Sequence, residues 1–194
     1  MQDRALMANL WSNMEANAGN VLKISERRIR MEIYEREVLS VSAGKTIEFI
    51  EKYNIHAFPN NKYHNYKKFK FITFRRNKDL SKGYTGGEME NLYKVVDSTL
   101  ILNPFMDDYN YIVRDKFTSS HSEYIDRLLG YIDHRLHKGE FEKKEPFKFY
   151  VLSETERIEL LARPVPAKIG TRGSVYYKLS DILSGRKRLR RGIK

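Results

Sequence analysis

The sequence predicts an α+β fold with a helical N-terminal part, a small mixed or antiparallel sheet and a disordered basic C-terminal arm. Three observations predict it: apolar residues recur at helical spacing over residues 1–53, two-residue alternation appears further along, and the last nine residues contain six Lys or Arg. With 194 residues, 41% of them hydrophobic, the chain can bury its own core. We expect one domain over residues 1–184, divided into a helical part (1–53) and a mixed part (54–184), before a basic flexible tail (185–194).

The helical part contains three predicted helices. Apolar residues at steps of three and four predict an amphipathic helix over residues 3–18, and a thin apolar stripe among charged residues predicts a second over residues 25–41. Ser42 is placed to cap a third helix that ends near Asn54. Residues 42–46 also resemble the end of a phosphate-binding loop, but no apolar strand is predicted before them, so a helix start is the better interpretation.

The first half of the mixed part is predicted to contain two strands and a short helix. Residues 66–74 alternate between apolar and polar side chains and predict a strand. Residues 89–96 have helical spacing, although residues 95–102 are equally compatible with a strand. Residues 109–113 alternate again, which predicts a second strand.

The second half of the mixed part begins with the clearest helix, over residues 120–138, where a capping box precedes one apolar stripe. A strand is predicted over residues 147–152, and a second capping box predicts a helix over residues 153–162. Residues 168–179 are predicted to form a hairpin, and Ser180 to start a final helical turn.

Composition excludes several kinds of site. The chain contains no cysteine, which rules out disulfides, thiolate metal ligands and thiol nucleophiles. No run approaches the roughly 20 apolar residues that a membrane span needs. We therefore expect a cytoplasmic protein, nuclear in a eukaryote or located in the virion of a virus, with no membrane partner.

Positive charge is concentrated in two segments. The first basic segment, residues 52–82, carries +8, and the second basic segment, residues 163–194, carries +9, whereas the rest of the chain carries −6. Clustered Lys and Arg can displace the counterions that surround nucleic acid. Aromatic side chains alternate with the cations of the first segment, and aromatic rings can stack on unpaired bases.

This pattern predicts contacts to nucleic acid from both segments. The predicted binding residues are Lys62, Tyr63, Tyr66, Lys67, Lys68, Phe69, Lys70, Phe71, Arg75, Arg76, Lys78, Arg172, Arg186, Lys187, Arg188, Arg190 and Arg191. The favoured hypothesis is a non-catalytic nucleic-acid-binding protein that contacts the phosphate backbone, with no cofactor and no metal.

Two other functions are compatible with the sequence. The chain is also suited to be a structural subunit of a large nucleoprotein assembly, such as a phage particle, whose other protein subunits would be its partners. A metal-dependent nuclease is the third hypothesis, because carboxylates can hold Mg²⁺ beside an activating lysine. The residues of that hypothesis are Asp97, Asp107, Asp108, Asp115, Glu142 and Lys144.

Overall fold

The computed structural model describes residues 37–118, 121–141, 145–168 and 173–190. The fold is mixed α/β, with a curled mixed sheet shaped like half a barrel and four short helices. The described ranges contain nine strands, so the prediction of a helical N-terminal part on a small sheet is wrong.

Seven strands of the described ranges form the main sheet, six of them in one continuous order. In chain order, the strands are β1 (Val38–Ser42), β2 (Ile55–Pro59), β3 (Phe71–Arg75), β4 (Met89–Asp97), β5 (Ile101–Leu102), β6 (Phe147–Glu159), β7 (Val165–Pro166), β8 (Val175–Tyr177) and β9 (Arg188–Leu189). The order across the main sheet is β2-β6-β4-β3-β1-β8, and β5 adds to β6. Strands β1 and β3 run parallel, whereas the other pairs in this sheet are antiparallel. Strands β7 and β9 form a separate parallel pair.

Four α-helices accompany the sheet: α1 (Ile47–Tyr53), α2 (Tyr109–Phe117), α3 (Glu123–His137) and α4 (Leu179–Ile182). The clearest sequence-based helix, residues 120–138, is confirmed as α3. Gly130 of α3 lies close to α1, since a Cβ added there would stand 2.7 Å from Cε1 of Tyr53. The absence of a side chain at this position therefore lets the tyrosine ring lie against α3.

The helices predicted over residues 89–96 and 153–162 are both wrong. Residues 89–96 lie in β4, and residues 153–162 are mostly in β6. The register between β4 and β6 shifts near residues 153–156, where β6 carries extra residues. There the hydroxyl of Ser153 accepts a hydrogen bond from the amide of Glu156 at 3.1 Å. The Ser–Glu spacing that predicts a helix cap instead closes a bulge in a strand.

The strand predicted over residues 109–113 is also wrong, because these residues form the first half of α2. Val113 and Phe117 are buried at four-residue spacing, whereas Tyr111 is 66% exposed. The side chain of Asp108 accepts a hydrogen bond from the amide of Tyr111 at 3.1 Å and caps the helix. Burial therefore follows the helical period rather than the alternation of aromatic residues.

Only part of the predicted helical region can be compared with the structure. The helix over residues 3–18 and most of the helix over residues 25–41 lie outside the described residues, but residues 38–41 belong to β1. The third helix is confirmed as α1, which ends at Asn54 in the left-handed region at φ 49°. The cap predicted at Ser42 is wrong, because Ser42 is the last residue of β1 and α1 begins after Thr46. A buried strand does lead into residues 42–46, contrary to the sequence-based expectation.

Strands β1, β2 and β3 and the first half of β6 are buried on both faces of the sheet, and the buried side chains of the described residues form three apolar clusters. The helix-side core packs under α2 and α3, and its members include Ile55, Val113, Leu128, Ile132, Phe149 and Val151. The central core lies on the opposite face, and its members include Leu39, Ile50, Phe58, Ile72, Phe74, Tyr93 and Tyr150. The tail-side core completes the structure, with Val38, Met89, Leu92, Val175, Tyr177, Ile182 and Leu189.

The prediction of a disordered C-terminal arm is wrong for residues 185–190. Leu189 is 2% exposed and belongs to the tail-side core. The carbonyl of Lys187 accepts a hydrogen bond from the amide of Val165 at 2.8 Å, which joins β9 to β7. The turn of the predicted hairpin over residues 168–179 lies outside the described residues, and within its described part residues 175–177 form strand β8, which pairs with β1.

A buried histidine, His56, lies on β2, the strand at one end of the main sheet. His56 is 5% exposed, and its ring lies 4.2 Å from the ring of Phe58, centroid to centroid. Neither ring nitrogen has a hydrogen-bond partner among the described residues. Burial, and to a lesser degree the charge of Arg135, lowers the pKa of His56 to about 3. The imidazole is therefore neutral in the folded protein at ordinary pH.

Replacement of His56 by leucine should reduce the fall in the free energy of unfolding that mild acid causes. The unfolded chain binds the histidine proton below pH 6.5, whereas the folded chain does so only near pH 3, so acid favours unfolding in this window. Between pH 7 and pH 5.5 the wild-type free energy of unfolding should lose about 1 kcal/mol through this residue. Urea unfolding at both pH values should show that His56→Leu removes this loss. The exposed-site control, His121→Leu, should keep it; an unchanged loss in His56→Leu would contradict the account.

Candidate nucleic-acid interface

Residues 76–88 connect β3 to β4, and this β3–β4 loop is held by its own hydrogen bonds. Asp79 and Tyr84 exchange two backbone hydrogen bonds of 3.0 and 2.8 Å. The carboxylate of Glu88 accepts hydrogen bonds from the amides of Thr85 and Gly86 at 2.7 and 2.8 Å. Burial disfavours the charged form of Glu88, but these hydrogen bonds outweigh it and hold its pKa below the ordinary value. The loop therefore presents its outward side chains from a fixed backbone.

The β3–β4 loop borders two open cavities. The first, called the loop cleft, has a volume of about 460 Å³, and Lys78 and Lys82 of the first basic segment line it. The second, called the tail groove, has a volume of about 480 Å³, and Lys187 and Arg188 of the second basic segment line it together with Leu161. The two basic segments therefore meet at one loop.

An ion network joins the two segments behind this loop. Arg76 forms ion pairs with Glu51 and, at 2.8 Å, with Glu90. Glu90 forms a second ion pair, with Arg163 at 3.3 Å. Burial disfavours the charged guanidinium of Arg76, but Glu51 and Glu90 outweigh it and raise its pKa above the ordinary value. Its side chain is only 16% exposed. Arg76, a predicted phosphate contact, therefore holds the two segments together.

Eight of the predicted contact residues are well placed to bind a polyanion. They are exposed and make no ion pair with another residue in the described ranges. They are Lys62, Lys67, Lys68, Lys78, Arg186, Lys187, Arg188 and Arg190. Because their charges are not neutralised by a described carboxylate, they contribute to the positive potential outside the protein.

Aromatic side chains gather at the opposite end of β3, and we call Tyr66, Phe69, Tyr150 and Tyr176 the aromatic group. The rings of Phe69 and Tyr150 are stacked with centroids 5.3 Å apart, and the hydroxyl of Tyr176 donates to the carbonyl of Lys67 at 3.3 Å. Burial raises the pKa of Tyr66 to about 12, as do the nearby hydroxyls of Tyr150 and Tyr176. Burial and Tyr176 raise the pKa of Tyr150 to about 12. These hydroxyls therefore remain protonated and able to donate hydrogen bonds.

The first basic segment is consequently divided between the two ends of β3. Tyr63 is 79% exposed, and the ammonium of Lys62 lies 5.1 Å from the centre of its ring. From Lys70 to Arg76 an extended chain spans about 20 Å. The aromatic group and the β3–β4 loop could therefore contact one strand of nucleic acid only at separate nucleotides.

Three predicted contact residues make internal contacts instead, either in the interior or in an ion pair. Arg75 is 3% exposed, and its guanidinium donates to the carbonyl and hydroxyl of Ser40, at 2.9 and 3.1 Å, and to the carbonyl of Gly173. Phe71 packs against the tail-side core. Lys70 lies 3.7 Å from the carboxylate of Glu37. Two further predicted residues lie outside the described residues: Arg172 and Arg191.

The sequence-based list missed residues that the fold brings to these sites. Lys45 before α1 and Lys138 after α3 both line the loop cleft, and Arg163 lines the tail groove. Tyr150 and Tyr176 complete the aromatic group from β6 and β8. Lys45 and Lys138 lie outside both basic segments, so only strand order and helix packing could have placed them at the loop cleft.

Three of the four aspartates of the nuclease hypothesis close turns or cap a helix, and the fourth, Asp115, is exposed within α2. Asp97 accepts a hydrogen bond from the amide of Thr99 at 2.8 Å, and Asp107 accepts one from Asn103 at 2.7 Å. Asp108 caps α2. In the ranges that the structure describes, no three His, Asp or Glu side chains are grouped to hold a metal ion. Glu142 and Lys144 lie outside those ranges.

Replacement of Arg75 by methionine should destabilise the protein without removing an exposed charge. The change leaves the buried carbonyl and hydroxyl of Ser40 without the guanidinium, which should lower the free energy of unfolding by about 2–4 kcal/mol. The exposed control Lys78→Met should change it by less than about 0.5 kcal/mol. Urea denaturation measures both, and equal effects in the two variants would contradict an interior role for Arg75.

Comparison with known proteins provides no further assignment. No family model matches the chain, and no curated protein or solved structure matches it significantly. Within the described part of the chain, no helix is both long and apolar enough to cross a membrane.

Proposed function

We propose that this protein binds nucleic acid without catalysis, through phosphate contacts from both basic segments. The observation that carries the proposal is the meeting of these segments at the β3–β4 loop. Lys78 is exposed on the side of the loop cleft, and Lys187 and Arg188 are exposed on the side of the tail groove. A polyanion that crosses the loop would meet cations from both segments at once.

The ordered tail supports the proposal on energetic grounds. Leu189 is buried and β9 pairs with β7, so the cations of residues 186–190 are held close to the protein surface before any ligand binds. A disordered arm would lose conformational entropy on binding, whereas a docked arm has already lost most of it during folding. Phosphate contacts from this tail therefore need less ordering.

The network around Glu90 supports the same arrangement. Arg76 belongs to the first basic segment and Arg163 to the second, and both contact this one carboxylate. Their charges are offset by Glu51 and Glu90, so they lend little net potential to the surface. Their role in the proposal is to fix the position of the exposed cations that flank them.

The aromatic group favours a single strand over a duplex. Tyr66 and Phe69 of this group are half-buried, Tyr150 is buried, and the neighbouring Tyr63 is exposed, so accessible rings alternate with exposed lysines in the segment before β3. Unpaired bases can stack on such rings, whereas the bases of a duplex are already stacked. The β3–β4 loop would hold the backbone of the same strand about 20 Å away.

Salt dependence tests the proposal. Five exposed cations near the loop and tail should give a log–log slope of about −3.5 for binding to a single-stranded oligonucleotide, because each phosphate contact releases counterions. Lys187→Gln/Arg188→Gln removes two contacts and should reduce the slope by about 1.4. Fluorescence anisotropy with a labelled oligodeoxythymidine, and with duplex DNA and single-stranded RNA for comparison, measures the slope.

The matched control removes the same two residue types from α2. Arg114 and Lys116 are exposed and lie outside both basic segments, so Arg114→Gln/Lys116→Gln should leave the slope unchanged. Two results would overturn the proposal: no binding to any of the oligonucleotides at low salt, or an equal reduction of the slope in both variants.

A further inference from the structure

The loop cleft is lined by lysines that come from three separate parts of the chain. Lys45 precedes α1, Lys78 belongs to the β3–β4 loop and Lys138 follows α3. All three are exposed, and none makes an ion pair with another described residue. Lys45 and Lys138 lie outside the two basic segments. The cleft is therefore a concentration of positive charge that forms only when the chain folds.

The carboxylates of the cleft only partly offset these lysines. Glu140 is paired with Arg135 at 3.5 Å, and Glu48 lies 4.0 Å from Lys82. Asp79 accepts hydrogen bonds from the amide and hydroxyl of Ser81 at 3.2 and 2.6 Å. Three lysines without an ion-pair partner therefore face a single carboxylate that is not in an ion pair, and the cleft favours an anion with more than one negative charge.

The size and wall of the cleft suit a ligand larger than an inorganic ion. Its volume of about 460 Å³ is within the range of small-molecule sites. Ile47 and Phe49 of α1 contribute apolar surface, and Tyr84 contributes an aromatic ring that Arg76 covers at 5.1 Å. Since the β3–β4 loop is fixed by its own hydrogen bonds, the wall that carries Lys78 is already formed.

We propose that the loop cleft binds a phosphate monoester, either on a free nucleotide or at the end of a nucleic-acid strand. The phosphate carries close to two negative charges at neutral pH and would lie among Lys45, Lys78 and Lys138. The sugar and base would contact the apolar wall. For a strand end the proposal rests on the nucleic-acid binding proposed above, whereas for a free nucleotide it does not.

Isothermal titration at low salt tests this site with paired probes. Adenosine 5′-monophosphate is compared with adenosine, and a 5′-phosphorylated oligodeoxythymidine octamer is compared with the same octamer bearing a 5′-hydroxyl. Binding that depends on the phosphate of the mononucleotide identifies a free nucleotide as a source of the ligand. Binding that improves only in the octamer pair identifies a strand end.

The variant Lys45→Gln/Lys138→Gln separates this site from the interface at the loop and tail. It leaves both basic segments intact, so the salt slope with a long 5′-hydroxyl oligonucleotide should stay as in the wild type. The dissociation constant for the phosphorylated probe should rise about tenfold, whereas Arg114→Gln/Lys116→Gln should change it less than about twofold. Thermal unfolding of each variant confirms that it is folded.

Two results would overturn the inference. One is that neither phosphorylated probe binds more tightly than its partner without phosphate. The other is that the cleft variant and the α2 control weaken binding equally, which would indicate a general effect of net charge. Either result leaves the salt-slope test of the proposed function standing, because that test uses residues of the tail.

Discussion

Burial of the central strands on both faces is the constraint on which the rest of this structure depends. Strands β1, β3 and β4 carry the central core on one face and the tail-side core on the other. A cation buried within β3 must be hydrogen-bonded in the interior, as Arg75 is to Ser40 and Gly173. The other cations of the first basic segment are therefore confined to residues before β3 and after it. Charge that is nearly continuous in sequence becomes two separate groups in space.

The tail-side core then decides where the second basic segment lies. Leu189 is a single apolar residue among cations, yet its burial beside Met89 and Ile182 draws β9 against β7. Glu90, the neighbour of Met89 in β4, binds arginines from both segments. The start of β4 therefore holds the tail by apolar packing at Met89 and the loop by ion pairs at Glu90. As a result, exposed cations from both segments border the same loop.

Sequence reasoning predicted the features that depend on local pattern and missed those that depend on pairing. Helices α1 and α3 were predictable because each has a helical apolar stripe and a recognisable end, such as Asn54. Strand β4 was not, since its register shifts against both β3 and β6 and such bulges break the two-residue alternation. The Ser153–Glu156 hydrogen bond is the same in a bulge as in a helix cap, so spacing could not distinguish them. For the sites, charge clustering predicted the exposed cations, but the interior position of Arg75 and the contributions of Lys45 and Tyr176 follow from strand order alone.

Photo-crosslinking tests the central claim of this account most directly, because it asks whether both basic segments contact one ligand at the β3–β4 loop. A single-stranded oligonucleotide with 4-thiothymidine is bound to the full chain, irradiated and analysed by peptide mass spectrometry. The account predicts crosslinks to peptides from residues 77–86 and from residues 185–190, both lost on competition with unlabelled strand. Crosslinks confined to one of these segments, or found chiefly on α2, would contradict it.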